Sequence, residues 1–221
     1  MQKFDTPAPV STVLDIPAGR VQFIAAERMD TTVEVRPSDA AKSRDVKAAE
    51  EIEVTYADGV LRIEAPAPKN RILGHTGSVD VTVKLPAGSR VEGRSAAAEL
   101  RGVGRLGDLA FDGAHRQIKI DEAASVHLTA IDGDIEIGRL GGAALISTAR
   151  GDIRIAEAAR GTVVLTTQSG DIAVTAAAGA SAALDASTGH GRVSNALKND
   201  GTTELDIRAT TTYGDITARS L

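Results

Sequence analysis

Downstream of residue 109 the chain alternates apolar and polar positions in short runs, and the runs recur in pairs. The first run of each pair carries Leu109/Phe111, Val126/Leu128, Ala144/Ile146, Val163/Leu165, Leu184/Ala186 and Ile207/Ala209. The second carries Ile118/Ile120, Ile135/Ile137, Ile153/Ile155, Ile172/Val174, Val193/Asn195 and Ile216/Ala218, with Asn195 its one polar member. Alternation with period two predicts strands with one buried face. The parity switches between the two runs, so the chain must turn there. At the switch stand Gly133-Asp134, Gly151-Asp152, Gly170-Asp171 and Gly214-Asp215, with degenerate pairs at Arg116-Gln117 and Gly191-Arg192. Glycine accepts positive φ and aspartate hydrogen-bonds turn backbone, so the pair suits a corner.

The copies begin at residues 116, 133, 151, 170, 191 and 214, in steps of 17, 18, 19, 21 and 23. A near-fixed step of this size marks a stacked repeat. Each unit holds two short strands and two corners and cannot bury its apolar face alone, whereas stacked units share one core. The expected fold is all-β: a β-solenoid, parallel β-helix-like, of about six two-strand rungs preceded by an N-terminal β-sheet region. Stacking in chain order puts Arg192 between Asp171 and Asp215 and leaves the rung around Ile207 and Ile216 uncapped. The extra residues of the last two units are expected in outward loops at Gly189-His190 and near Thr210, Thr211 and Thr212.

Upstream, Val13, Ile16, Val21, Phe23, Val33 and Val35 mark three strands, with Pro17-Ala18-Gly19 as a turn. Residues 37–50 are polar and alanine-rich and read as a connector with one helical turn. Residues 51–56 and 60–64 form a hairpin across Asp58-Gly59, a strong tight-turn dipeptide. Residues 65–77 carry no pattern, and Lys69, Arg71 and His75 in this stretch could meet an anion, against the plainer reading of a simple excursion. Val79, Val81, Val83 and Leu85 restore the alternation, and Leu85-Pro-Ala-Gly-Ser-Arg-Val91 resembles Ile16-Pro-Ala-Gly-Arg-Val21. The chain thus divides into residues 1–99, a sheet region that covers the first rung, and residues 100–221, the solenoid, as one continuous unit.

Composition narrows the function classes. The 221 residues carry a net charge of −5 with mixed signs, no basic block and 2% aromatics, which argues against a nucleic-acid partner. Cysteine is absent, so disulfides, thiolate metal sites and cysteine nucleophiles are excluded. The N-terminus lacks the apolar run of a signal peptide, and no segment is apolar enough to span a bilayer, so a cytoplasmic location is expected.

The repeated Gly-Asp-Ile units, the Leu-Pro-Ala-Gly-Ser turn at 85–89 and Asp-Ile-Pro-Ala-Gly at 15–19 together resemble the bacterial DUF4097 family. That family is described as β-strand repeat or adhesin-like proteins and is related to head-GIN adhesin-like domains. The resemblance runs from about residue 10 to the end. It implies a β-solenoid-like fold, no established enzymatic activity and no catalytic residues to carry over.

Two candidate sites follow from the residues. Asp134, Asp152, Asp171 and Asp215 share one repeat position and should stack in a column, either as corner caps or as an ion-binding ridge. One aspartate per rung makes a poor cage, so capping is preferred and no metal or other cofactor is expected. Glu136 and Arg154, one rung apart, are expected to pair. The four histidines, His75, His115, His127 and His190, lack metal-ligand spacing. Nucleophile and phosphate-loop signatures are absent, and the best reading is a non-enzymatic binding or scaffolding module. The Thr-rich rows (Thr148, Thr166, Thr167 and Thr210 to Thr212) form its test surface and a protein its partner. The alternatives are a β-helix carbohydrate-active enzyme, which a groove with three or more convergent charged side chains would favour, and self-assembly through the last rung.

Overall fold

The computed structural model describes residues 1–66 and 77–221. The candidate loop residues Lys69, Arg71 and His75 lie outside the described residues. The elements, in chain order, are β1 (Gln2–Asp5), β2 (Ser11–Ala26), β3 (Asp30–Pro37), α1 (Ser43–Glu51), β4 (Glu53–Ala57), β5 (Val60–Glu64) and β6 (Val79–Pro86). There follow β7 (Arg90–Asp132), β8 (Ile135–Leu140), β9 (Ala144–Arg150), β10 (Ile153–Ala158), β11 (Gly161–Ser169) and β12 (Ile172–Ala176). The last four are β13 (Ala182–His190), β14 (Val193–Ala196), β15 (Leu205–Tyr213) and β16 (Ile216–Ser220).

The protein is an all-β solenoid. One wall stacks residues 118–123 of β7 with β8, β10 and β12 in parallel register, Ile118↔Ile135↔Ile153↔Ile172. The other stacks Val126↔Ala144↔Val163, from β7 through β9 to β11. The alternating apolar positions all point between the walls: Ile118, Ile135, Ile146, Ile153, Val163, Leu165 and Ile172 are each buried. Both walls draw on one core that continues from Val10 to Ile216.

Parallel stacking begins well before the repeat. Strand β2 runs through Pro17-Ala18-Gly19 without a break and lies in register beside the start of β7, with Leu14↔Gly93 and Val21↔Leu100. On its other side β2 pairs with β5 through its first half and with β6 through its second. Antiparallel β4, on β5, and β3 with β1, on β6, finish this end. The hairpin between β4 and β5 turns at Asp58 (φ 51°) and Gly59 (φ 77°), the double positive φ of a type I′ turn.

Residues 43–51 form a nine-residue helix where the sequence suggests a connector with one turn. Its alanines favour helix, and Ala48 and Ala49 with Ile52 beyond the helix pack on the core. Asp45, buried in this helix, accepts a 2.9 Å hydrogen bond from the Ser78 amide and ties α1 to the chain leading into β6.

The far end departs from chain order. Strand β15 pairs with β11 on one side and β13 on the other, and β16 lies between β12 and β14. The last unit of the chain is therefore wedged inside, and the degenerate unit of Val193 and Asn195 forms the outermost rung. The arrangement follows from side-chain chemistry. Ile207, Ala209, Ile216 and Ala218 are buried in the inner position, whereas Asn195 would have to bury its amide there. Val193 is 47% exposed at the end. The extra residues of the last two units are not at Gly189-His190 or Thr210 to Thr212, which all lie in strands. They form residues 177–181 and 197–204, the excursions that carry the chain past the wedge. The uncapped rung is accordingly β13–β14 and not the one holding Ile207 and Ile216.

Candidate functional site

Each corner is built by backbone approach. Gly133 has φ 121° and Gly170 φ 151°, and a Cβ on Gly170 would lie 2.1 Å from the Gly151 carbonyl oxygen of the next rung. Only glycine satisfies both demands. Arg116 takes the corner position of the first copy and adopts φ 85°, a strained value for a residue with a side chain.

The aspartates Asp134, Asp152, Asp171 and Asp215 do stack, and their carboxylates bond across rungs instead of within their own turns. Asp134 Oδ1 accepts from the Asp152 amide at 2.9 Å, Asp152 Oδ1 from the Asp171 amide at 2.8 Å, and Asp171 Oδ1 from the Asp215 amide at 2.7 Å. Asp215 Oδ1 accepts from the Arg192 amide at 2.8 Å, and Arg192 also forms an ion pair with it at 3.3 Å. Arg192 thus closes the column at the outer rung, past Asp215. The Arg192 amide first, then the charge on its guanidinium, lowers the Asp215 carboxyl below its ordinary value. Each aspartate is committed to the backbone of the neighbouring rung, which is how like charges at strand spacing coexist.

The Thr-rich rows divide in two. Thr148, Thr167 and Thr211 are buried. The Thr148 hydroxyl donates to the Arg150 carbonyl at 3.0 Å, that of Thr167 to Gly151 at 3.2 Å and that of Thr211 to Gly170 at 3.0 Å. Thr188 does the same with Gly214 at 2.9 Å. These threonines fasten corners and are unavailable to a partner. Their signal in the sequence is a Thr three residues before the corner glycines 151, 170, 191 and 214, as in Thr167-x-x-Gly170, with Ala130 in that place before Gly133.

The neighbouring positions point outward. Thr129↔Ser147↔Thr166↔Thr210↔Ser187 run in register across β7, β9, β11, β15 and β13, all exposed. Rungs at strand spacing make this a straight row of five hydroxyls about 4.8 Å apart. At the outer end of this wall, Tyr213 stacks on His190 at 4.9 Å with planes 6° apart, and the tyrosine is 57% exposed. The expected Glu136–Arg154 pair is in register, but the ion pair that forms is Lys119–Glu136 at 3.0 Å.

Toward the N-terminal end of this row, Thr129 itself lines an open groove of about 420 Å³. Asp15, Glu64, Glu92, Arg94, Asp112 and His127 stand around it, and Val13, Gly93 and Ala110 contribute to its floor. The repeat could not reveal it, because β2 and β5 join the ladder through pairings that the Gly-Asp-Ile spacing does not encode. All of these charged residues except Glu64 are exposed.

A stacked, Gly-Asp-cornered β-solenoid with a hydrogen-bonded aspartate column is the class that this fold and these corners define. The chain belongs to the Toastrack DUF4097 family, whose profile matches residues 10–220. No curated protein matches it. Among solved structures it is similar to a putative cell adhesion protein from Clostridium sporogenes, at 11% identity and TM-score 0.40, covering 100% of this chain and 98% of the other. A putative adhesin from Bacteroides fragilis matches at 11% identity and TM-score 0.37, covering 98% and 95%. One from Parabacteroides distasonis matches at 15% identity and TM-score 0.31, with the same coverage.

Proposed function

We propose that the protein is a non-enzymatic binding module whose contact surface is the exposed face of the wall carrying Thr129, Ser147, Thr166, Thr210 and Ser187. The single observation behind this reading is that hydroxyl row. Five short polar side chains on a rigid ladder offer donors and acceptors at fixed spacing without the entropy cost of long side chains. The buried threonines one position along hold the same strands still, so the face is preorganised.

A Thr166→Lys/Thr210→Lys variant tests it. Both positions are exposed, so the fold should survive, while a ligand seated on the row meets two long cations. Capture from native lysate and binding to a glycan array should both be compared with the wild-type chain. Loss of a ligand that the wild-type chain retains supports the reading, and unchanged binding sinks it.

The groove favours a second reading, a carbohydrate-active enzyme. A general acid at neutral pH needs a carboxyl whose proton is held by burial or by a like charge. Asp15, Glu92 and Asp112 are exposed instead, and although Asp15 faces Glu64 in register, solvent in the open groove screens that like charge, which is why the module ranks first. Glu92→Gln and Asp112→Asn variants that abolish hydrolysis of a glycan substrate would reverse that order.

A further inference from the structure

The outer end of the hydroxyl wall carries a feature that the repeat alone does not require. One corner position reads Asp132↔Arg150↔Ser169↔Tyr213↔His190 across β7, β9, β11, β15 and β13. Its first two members form an ion pair at 3.8 Å, its third is a short serine and its last two are rings. The Tyr213 and His190 rings stack at 4.9 Å with planes 6° apart, so their faces are turned along the ladder. Backbone bonds hold both residues in place: the Gly170 amide donates to the Tyr213 carbonyl at 2.9 Å and the Gly214 amide to the His190 carbonyl at 3.0 Å. The other phenylalanine and tyrosine rings behave differently. Phe23 and Phe111 lie in the core, and Phe4 and Tyr56 pack against it, whereas Tyr213 is 57% exposed.

His190 covers one face of the Tyr213 ring. The other face is turned toward β11, where the register partner is Ser169. A serine is too short to cover a phenol ring, so this face stays open. The next residue along the ladder is Arg150, two rungs from Tyr213 and roughly 9.6 Å away at strand spacing. The result is a slot with Tyr213 on one side, Ser169 as its floor and Arg150 on the other side. A ring laid on Tyr213 at about 4.5 Å leaves a similar gap to Arg150. Asp132 holds the Arg150 guanidinium, so the one charged wall of the slot is neutralised. Thr166 and Thr210 of the hydroxyl row stand three residues back on the same strands, about 10 Å away.

We infer that this slot takes one pyranose ring of a neutral oligosaccharide, stacked on Tyr213, while neighbouring sugars of the same ligand reach Thr166 and Thr210. A pyranose presents both surfaces that the slot can use. Its face of C–H bonds suits the electron-rich face of the phenol, and its rim of hydroxyls suits Ser169, the Arg150 guanidinium and the row. A nucleotide would also stack, but it would bring phosphate to a chain of net charge −5 and to an arginine already paired. The His190 ring behind Tyr213 fixes its orientation before the ligand arrives, which lowers the ordering cost of binding. The inference rests on the contact face proposed above, and adds to it a ligand class and a stacking residue that the row does not contain.

Calorimetric titration of the full chain with cellohexaose, chitohexaose, mannohexaose and laminarihexaose tests it. At least one should bind saturably. Tyr213→Ala should weaken that sugar about tenfold or more, whereas Tyr213→Phe, which keeps the ring, should stay within about threefold. Ser169→Phe lays a second ring over the open face and should abolish binding with Tyr213 intact. Ser169 is exposed, so this variant keeps the fold even where Tyr213→Ala loosens the outer rung. The Thr166→Lys/Thr210→Lys variant separates the slot from the row. Loss of the sugar in that variant, but not in Tyr213→Ala or Ser169→Phe, overturns the slot and leaves the row standing. The reverse pattern supports the slot and sinks the row. Failure of all these sugars to bind overturns the slot, as does binding of adenosine in their place.

Discussion

Replacing Ile216 by alanine and, separately, Val193 by alanine distinguishes the wedged order of rungs from stacking in chain order. The two residues are register partners on β16 and β14, so they occupy the same repeat position. Ile216 is 1% exposed and Val193 47% exposed. Truncating a fully buried isoleucine removes its transfer free energy and leaves a cavity, together about 2–5 kcal/mol. Truncating a half-exposed valine at an open end should cost less than about 1 kcal/mol. With a urea m-value of about 3 kcal/mol/M, Ile216→Ala lowers the midpoint by about 1 M and Val193→Ala by less than about 0.3 M. Repeat arrays unfold from their ends, so the probe must sit there. Tyr213 lies on β15 and the other tyrosine, Tyr56, lies in the N-terminal hairpin, so a Tyr56→Phe background makes tyrosine fluorescence report the C-terminal end alone. Stacking in chain order would enclose Val193 and open Ile216. A Val193→Ala cost equal to or above that of Ile216→Ala would refute the wedge.

Three further outcomes follow from the corners and the charges. Gly170→Ala should cost more than about 2 kcal/mol, read as a thermal midpoint, because its φ is 151° and its new Cβ would meet the Gly151 carbonyl. Thr167→Val should cost about 1 kcal/mol through its lost hydroxyl bond, whereas Thr166→Val on the exposed row should stay within about 0.5 kcal/mol; equal effects would contradict the division between corner and face. Asp30 is lowered from 3.8 to about 2, first by the hydrogen bond from Arg28 and then by that from Lys3. The unfolded chain takes up that proton at higher pH than the folded one, so this contribution is complete above about pH 4 and disappears as the pH falls toward 2. Asp30→Asn should therefore flatten the acid limb of a stability-against-pH curve, and an unchanged limb would refute the assignment.

What the sequence disclosed and what it withheld have a common cause. Period-two alternation and the Gly-Asp corners are local, so the strands, the inward residues and the aspartate column were legible from residue types alone. The order of rungs is not local. Every unit offers the same apolar pairs to its neighbours, so the repeat permits any stacking order, and the choice falls to single residues such as Asn195 that cannot be buried. The clue was present in that one polar exception. The thermodynamic role of threonine was hidden for a related reason: Thr166 and Thr167 are adjacent and chemically identical, and only parity along the strand separates the one that faces out from the one that holds a corner. The groove needed β2 and β5 to be placed beside β7, pairings that lie outside the repeat. The helix at Ser43–Glu51 reads from sequence as a connector with one turn only, because a short alanine-rich segment gains its full helicity from packing.

The most direct test of the account is the binding comparison between two variants of the same face. One carries Thr166→Lys/Thr210→Lys on the hydroxyl row; the other carries Glu92→Gln/Asp112→Asn at the groove. Both should fold with wild-type midpoints, and each is then assayed against the ligand that the wild-type chain retains on a glycan array or from native lysate. The account predicts that the row variant loses that ligand and the groove variant keeps it. Retention by the row variant with loss by the groove variant would contradict it and move the working site to the groove.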